Sequence, residues 1–281
     1  MLWLWLAQVG VGDVKPITVK VLNLTRNEYV RDTLDVEILT FSEDGGVIPL
    51  DTVRIFGGGD TIVPPAFHVI GFNVFYAGEV FPSNVVVVGR DTAVELFVYD
   101  ITDDTSALML LAENIGIIRD RGGYRVVEVF FILNRSKFAF RGPAVRVRLP
   151  EAAVEVSLST GQEDILRQGD EVILNPLILP GEGNFALSYL VVKDNFAVER
   201  EGAGNYKLLV DTLVPIEVKV GRFAGMEEFE GEIIRVWESN NRISFYVGTP
   251  PIRRELLYYL LGALFVLVGV AIMALLRRWI L

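Results

Sequence analysis

One stretch constrains every other reading of this 281-residue chain: Leu256 to Leu276 (LLYYLLGALFVLVGVAIMALL) contains no charge, no Pro, no Asn and no Gln. As a helix rising about 1.5 Å per residue, this run is about 31 Å long, which matches the hydrocarbon core of a bilayer. Tyr258 and Tyr259 stand at one end and Trp279 at the other, where amphipathic rings favour the membrane interface, and Arg277 and Arg278 stop the run. The pattern predicts a single C-terminal transmembrane helix beginning at Leu256. A buried core helix would need a large helical domain around it, and the pattern shows none. Gly262 and Gly269 lie seven residues apart, on nearly one face of that helix, where they would let a neighbouring helix approach closely. No G-x-x-x-G is present, so tight self-pairing is not signalled.

Before the run, period-two alternation dominates. In Ile17-Thr18-Val19-Lys20-Val21 and in Leu34-Asp35-Val36-Glu37-Ile38 every second side chain is apolar, the pattern of a strand with one buried face. Similar segments follow at roughly ten-residue spacing: 68–76, 84–88, 93–99, 107–118, 124–133, 144–149, 153–158, 185–192, 206–210, 216–220, 232–237 and 243–247. Turn chemistry separates them at Asp44-Gly45-Gly46, Gly57-Gly58-Gly59-Asp60, Arg121-Gly122-Gly123, Pro180-Gly181-Glu182-Gly183 and Gly202-Ala203-Gly204-Asn205. Gln162 to Arg167 reads as one helical turn. The expected class is all-β: two tandem antiparallel β-sandwich regions followed by one transmembrane helix.

The expected boundaries are 1–12 for a truncated or atypical signal peptide, 13–91 for a first sandwich, 92–250 for a second β region and 251–281 for linker and anchor. Leu2 to Ala7 is a short apolar run with no Lys or Arg before it, and a first hydrophobic strand is the competing reading. Arg253 and Arg254 before the anchor balance Arg277 and Arg278 beyond it, so the positive-inside comparison is even. The β-rich character favours domains outside the cytoplasm, periplasmic or on the cell surface, with a short cytoplasmic C-terminus. Pro250-Pro251 stiffens the junction and holds the β part near the membrane.

Charge and composition exclude several function classes. The net charge is −10 with acids scattered along the chain, which argues against nucleic acid, since phosphate binding needs concentrated Lys and Arg. With no Cys there are no disulfides, thiolate metal sites or Cys nucleophiles, and a lone His68 cannot supply a typical zinc or haem site. His68 also lacks a Ser in a G-x-S-x-G elbow to activate, and Gly57-Gly58-Gly59 lacks the Lys-Ser/Thr of a phosphate loop. Asp100, Asp103 and Asp104 form the densest acidic cluster. Without EF-hand spacing, a turn Gly or a closing Glu, a polar loop is favoured over a cation site. The same holds for Glu227, Glu228 and Glu230, read as a solvated hairpin edge. Asn23-Leu24-Thr25 and Asn134-Arg135-Ser136 match the N-glycosylation pattern, a common chance match. No cofactor is expected, and no catalytic residue is singled out.

Pro16 to Ile38 (PITVKVLNLTRNEYVRDTLDVEI) resembles the opening of carboxypeptidase regulatory-like domains, in which a strand ending in Asn-x-Thr leads through a loop to a second strand. VELFVYDITDDT (Val94 to Thr105), YRVVEVFFILNRS (Tyr124 to Ser136) and RVRLP (Arg146 to Pro150) resemble bacterial membrane-anchored envelope proteins. Those proteins have a regulatory-like, Ig-like sandwich, a second β domain and one C-terminal transmembrane helix. The resemblance implies an architecture and no catalytic residues. The expectation is a non-enzymatic accessory or scaffolding subunit that docks integral-membrane partners, such as a respiratory or photosynthetic complex. The alternative is an envelope binding module for carbohydrate or peptide. A hydrolase using paired carboxylates ranks last, because it needs two convergent acids that linear sequence does not reveal.

Overall fold

The computed structural model describes residues 15–42, 46–229 and 231–248. The expected signal segment, Pro250-Pro251, Glu230 and the anchor residues Leu256, Tyr258, Tyr259, Gly262, Gly269, Arg277, Arg278 and Trp279 lie outside the described residues. Within the described residues the chain is all-β, with several sheets and two short 3-10 turns, Thr105–Ala107 and Gln162–Asp164. The helical turn expected across Gln162 to Arg167 is confined to the second of these, and Ile165–Gln168 is a strand. No described helix is long and apolar enough to cross a membrane. The chain forms two compact units. The first runs up to Ala112 and includes Val129–Arg148 and Ser157–Leu187; the second comprises Glu113–Glu128, Leu149–Val156 and the described residues from Ser188 onward.

In the first unit the alternation does what it predicts. Strand Ile17–Asn23 buries Ile17, Val19 and Val21 completely, and strand Thr33–Phe41 buries Leu34, Val36 and Ile38. Thr33–Phe41 lies between Val47–Phe56 and Val69–Tyr76, and Glu79–Pro82 follows on the far side of Val69–Tyr76. One apolar cluster joins Val19, Val21, Val36, Ile38, Phe72, Val74, Phe81 and Leu96. Each such side chain contributes about 1.5–3 kcal/mol when taken out of water, and the resulting β-sandwich character is what the pattern implies.

Pairing departs from the all-antiparallel expectation in two places. Ala93–Val98, read from sequence as the opening of the second region, runs parallel to Ile17–Asn23 from Thr18↔Ala93 to Asn23↔Val98. Parallel neighbours need a long crossover, and the strands between Asn23 and Ala93 supply it. Val94, Leu96 and Val98 then enter the same core as Val19 and Val21. Ile101–Thr102 with Ala139–Phe140 is a second parallel pair.

An eight-stranded sheet supplies the strands of the second unit. Its order is Ala153–Leu158, Gly181–Val191, Gly123–Asn134, Leu108–Asp120, Phe196–Asp211, Glu232–Val247 and Ile216–Val220, with Arg222–Phe229 also on Glu232–Val247. Gly202 to Asn205, expected as a turn, is a bulge inside a single 16-residue strand. Glu232 to Trp237 and Ile243 to Val247, expected as separate strands, are likewise one strand that passes Asn241 at φ 62°. These irregularities fold the strand pair back on itself. The Arg235 guanidinium donates to the carbonyls of Asp211, at 3.0 Å, and Val214, while Gly248 N–H donates to Pro215 O at 2.8 Å. Straight, the thirteen residue steps from Arg235 to Gly248 would span about 43 Å; here both ends meet the same short loop. A bulge bends its strand and increases the local twist, which is the physical origin of this corner.

Candidate functional site

The most unusual chemistry among the described residues is buried in the second unit. Glu113, Glu128, Tyr189 and Arg200 stand on four neighbouring strands, each in phase with apolar residues of its own strand. Glu113 precedes Ile115 and Ile117, Glu128 follows Tyr124 and Val126, Tyr189 precedes Val191, and Arg200 follows Phe196 and Val198. Period two therefore carries all four polar heads into the interior. Glu128 is wholly buried, and Glu113 and Arg200 are 2% and 7% exposed.

Arg200 meets Glu128 side-on: Nε donates to Oε2 at 2.9 Å and Nη2 to Oε1 at 2.7 Å, while the Tyr189 hydroxyl donates to Oε1 at 2.5 Å. Such a fork is the strongest arrangement available to a carboxylate and a guanidinium. Glu113 is less well served, because its Oε1 lies 3.6 Å from Arg200 Nε and has no hydrogen-bond partner among the described residues. Two buried carboxyl groups thus face one guanidinium. Burial pushes Glu113 up, and the neighbouring Glu128 charge pushes it further, to about 9. Burial also opposes ionisation of Glu128, but the Arg200 charge and the hydrogen bonds from Arg200 and Tyr189 bring it below its ordinary value. At neutral pH the arrangement is Arg200⁺, Glu128⁻ and a protonated Glu113. Tyr206, largely desolvated nearby, is pushed up to about 12.

This is a pair of convergent acids, the element that linear sequence does not show. A glycosidase-type pair has to reach a sugar from two sides; these carboxyls are sealed inside the unit, so the cluster holds a proton and a charge where substrate does not reach. The signal for it is legible afterwards: in YRVVEVFF and LAENIGII a Glu sits on the apolar phase of its strand, where a solvated Glu would sit off it.

The other singled-out residues are occupied by structure. Asp100 accepts from Asn23 Nδ2 at 2.9 Å, from the Tyr76 hydroxyl at 3.0 Å and from Arg26 Nε and Nη2. Partial burial would raise its carboxyl, but the Arg26, Asn23 and Tyr76 bonds win and hold it below the usual range. Asp104 caps the Thr105–Ala107 turn by accepting from Ser106 N–H at 2.9 Å. Asp103 is exposed beside it and does not converge with Asp100 on one point. Glu227 pairs with Lys207 at 2.9 Å, and His68 is exposed at the start of a strand. Gly57 and Gly58 form the tight turn between Val47–Phe56 and Asp60–Ile62, with Phe56 N–H donating to Asp60 at 3.1 Å. No group of three or more His, Asp or Glu among the described residues could hold a metal ion.

Both Asn-x-Ser/Thr motifs are structural. Asn23, 2% exposed, accepts from the N–H groups of Thr25 (2.9 Å) and Arg26 (3.1 Å) through Oδ1. Asn134, equally buried, accepts from Ser136 N–H at 3.0 Å and donates to the carbonyls of Phe138 (2.8 Å) and Ile178 (3.1 Å). In each case a strand ends in an Asx turn that fixes the following loop.

No family model matches the sequence, and no curated protein sequence does. Among solved structures, the M1 zinc metallopeptidase from Deinococcus radiodurans is similar at 10% identity over 50% of this chain and 42% of that chain, with a TM-score of 0.31. A variant of it bound to a Tyr-Ser-Ala substrate gives 11% identity over 50% of this chain and 42% of that one, with a TM-score of 0.32. The match spans less than half the length of those chains, and values this low carry neither fold nor activity across.

Proposed function

We propose that this protein is a non-enzymatic, membrane-anchored accessory or scaffolding subunit whose β units stand outside the cytoplasm and dock integral-membrane partners. The finer architecture belongs to this reading: a regulatory-like sandwich, a second sandwich region and one C-terminal transmembrane helix. The observation that carries it is the uncharged run from Leu256 to Leu276, which begins eight residues after Gly248, where the last described strand has ended. The polar groups with unusual chemistry support the same reading, because Glu113, Glu128 and Arg200 are sealed in a core and Asp100 is neutralised by Arg26. The test is gentle detergent extraction of the tagged protein from its native membrane, followed by native-gel mass spectrometry. Stoichiometric co-purification with a membrane complex is expected; a lone species would defeat the docking reading.

A binding module for carbohydrate or peptide is the second reading, favoured by one feature. Phe223, half exposed, packs edge-on against Trp237 with ring centroids 5.2 Å apart, an aromatic surface on the Arg222–Phe229/Glu232–Val247 hairpin. Binding to a glycan or peptide array that Trp237→Ala abolishes would favour it.

A further inference from the structure

Four turns of the second unit lie at one end of it, and hydrogen bonds and packing tie them together. The turn at Arg121-Gly122 packs on the turn after Val191: a Cβ on Gly123 would lie 2.0 Å from Val191 O. That second turn meets Gly248, whose own added Cβ would lie 2.4 Å from Asp194 O. Gly248 is bonded to Pro215 in the turn after Asp211, and Arg235 ties that turn to the base of the Phe229–Glu232 hairpin tip. In or near each turn stands one large exposed apolar side chain, Ile118 and Phe229 on the strands that lead into their turns. Ile118 is 51% exposed, Val192 48%, Leu213 75% and Phe229 61%, with Ile233 beside the last. Single exposed apolar residues are ordinary; one from each of four adjacent turns makes a surface.

The chain itself indicates what this surface meets. Thirty-three residues follow Gly248, and the apolar run starts at Leu256. Eight residue steps reach at most about 28 Å even when fully extended, so an anchor that enters the bilayer at Leu256 keeps Gly248, and the four turns around it, close to the headgroups. Charge at this end is mixed and leans acidic, with Glu228 and Glu232 exposed on either side of Phe229; Lys193 and Arg125, beside the first two turns, are paired. Lys193 pairs with Glu151 at 2.5 Å, and Arg125 pairs with Asp120 at 3.2 Å and with Glu155 at 2.7 Å.

We propose that this end of the second unit is a membrane-seating surface, in which Ile118, Val192, Leu213 and Phe229 enter the interfacial layer of the bilayer. Its occupant is the lipid surface itself, zwitterionic lipid being sufficient because the apolar side chains rather than a net charge make the contact. This rests on the anchored reading above, and it adds that the β unit sits on the membrane instead of standing off it.

The chain has no Cys, so a single introduced thiol is a unique label. Leu213→Cys, Phe229→Cys and, at the bent corner away from this end, Asn240→Cys each receive an environment-sensitive fluorophore in the full-length protein. Ile118→Cys replaces either probe that lowers the melting temperature. The labelled proteins are reconstituted into phosphatidylcholine vesicles containing nitroxide-labelled lipid. At least threefold stronger quenching at positions 213 and 229 than at 240 is expected, with no need for anionic lipid. Equal quenching at all three positions in vesicles that still carry the protein on flotation overturns the seating surface and leaves the anchored reading standing. Protection of 213 and 229 from aqueous iodide in native membranes, without lipid quenching, also overturns it, because another protein then covers the turns. Failure of the protein to float defeats the anchored reading and this inference with it.

Discussion

Glu128 takes both hydrogen bonds of the Arg200 fork, at 2.7 and 2.9 Å, while Glu113, on the adjacent strand, comes no closer than 3.6 Å to the same guanidinium. The asymmetry assigns the proton. One guanidinium neutralises one carboxylate, and a second buried carboxylate without hydrogen bonds to its oxygen would carry an uncompensated charge, so Glu113 stays neutral. Its folded-state value, about 9, lies above its ordinary 4.5.

The sign of the pH dependence follows. A carboxyl whose folded value is raised contributes stability that is complete below the ordinary value and is lost as pH climbs toward the folded one. The window for Glu113 is therefore from about 4.5 to about 9, with a slope approaching about 1.4 kcal/mol per pH unit. Glu128, lowered, acts oppositely and only below its ordinary value. Glu113→Gln keeps a neutral head of the same shape and should flatten the decline between pH 5 and 9. Denaturant melts across that range check it; a wild-type protein equally stable at pH 5 and 8.5 would refute the assignment.

Removing the cation should cost more than removing the neutral acid. Arg200→Leu leaves Glu128 buried and unpaired, a loss of about 3–5 kcal/mol, whereas Glu113→Gln should fall within about 1 kcal/mol of wild type near pH 5, where Glu113 is close to neutral in both the folded and the unfolded chain. Comparing the two by urea unfolding near pH 5 distinguishes a paired interior from an indifferent one.

Arg141 has a similar role in the first unit. It pairs with Glu79 at 2.9 Å and with Asp164 at 2.5 Å, and it also donates to the Asn175 carbonyl. Asp164 is only 4% exposed, so Arg141→Ala strands a buried carboxylate and should destabilise by about 2–4 kcal/mol. Adding Asp164→Asn should recover part of that loss, read as a shift in the urea midpoint.

Asn23 should be intolerant of change because it joins two sides of the first unit. Its amide satisfies Tyr76 and Asp100 on one side and two backbone N–H groups on the other. Asn23→Ala leaves those groups unsatisfied in a buried setting, with an expected cost of about 2–3 kcal/mol, measurable as a fall in Tm of the first unit.

Gly123 makes the clearest backbone prediction. At φ 155°, with Val191 O lying 2.0 Å from where a Cβ would stand, alanine has no room. Gly123→Ala should separate the Arg121-Gly122 turn from its neighbour and destabilise the second unit by more than about 1 kcal/mol, whereas Gly183→Ala, in open space, should be close to neutral.

The all-β class and most of the strands are legible in the residues alone, because a side-chain period of two survives any tertiary context in which one face is buried. Ile17, Val19 and Val21 face the core because they alternate, and the Asn23 and Asn134 turns follow from local Asx chemistry. Tertiary structure decided what local pattern does not encode. The parallel partnership of Ile17–Asn23 with Ala93–Val98 joins residues some 75 positions apart. The corner at Gly202–Asn205 uses glycines that equally well describe a turn, and only the unbroken pairing on both sides makes it a bulge. The Glu113, Glu128 and Arg200 cluster comes from three strands whose order is set by the sheet, so its charge balance exists only once those strands are neighbours.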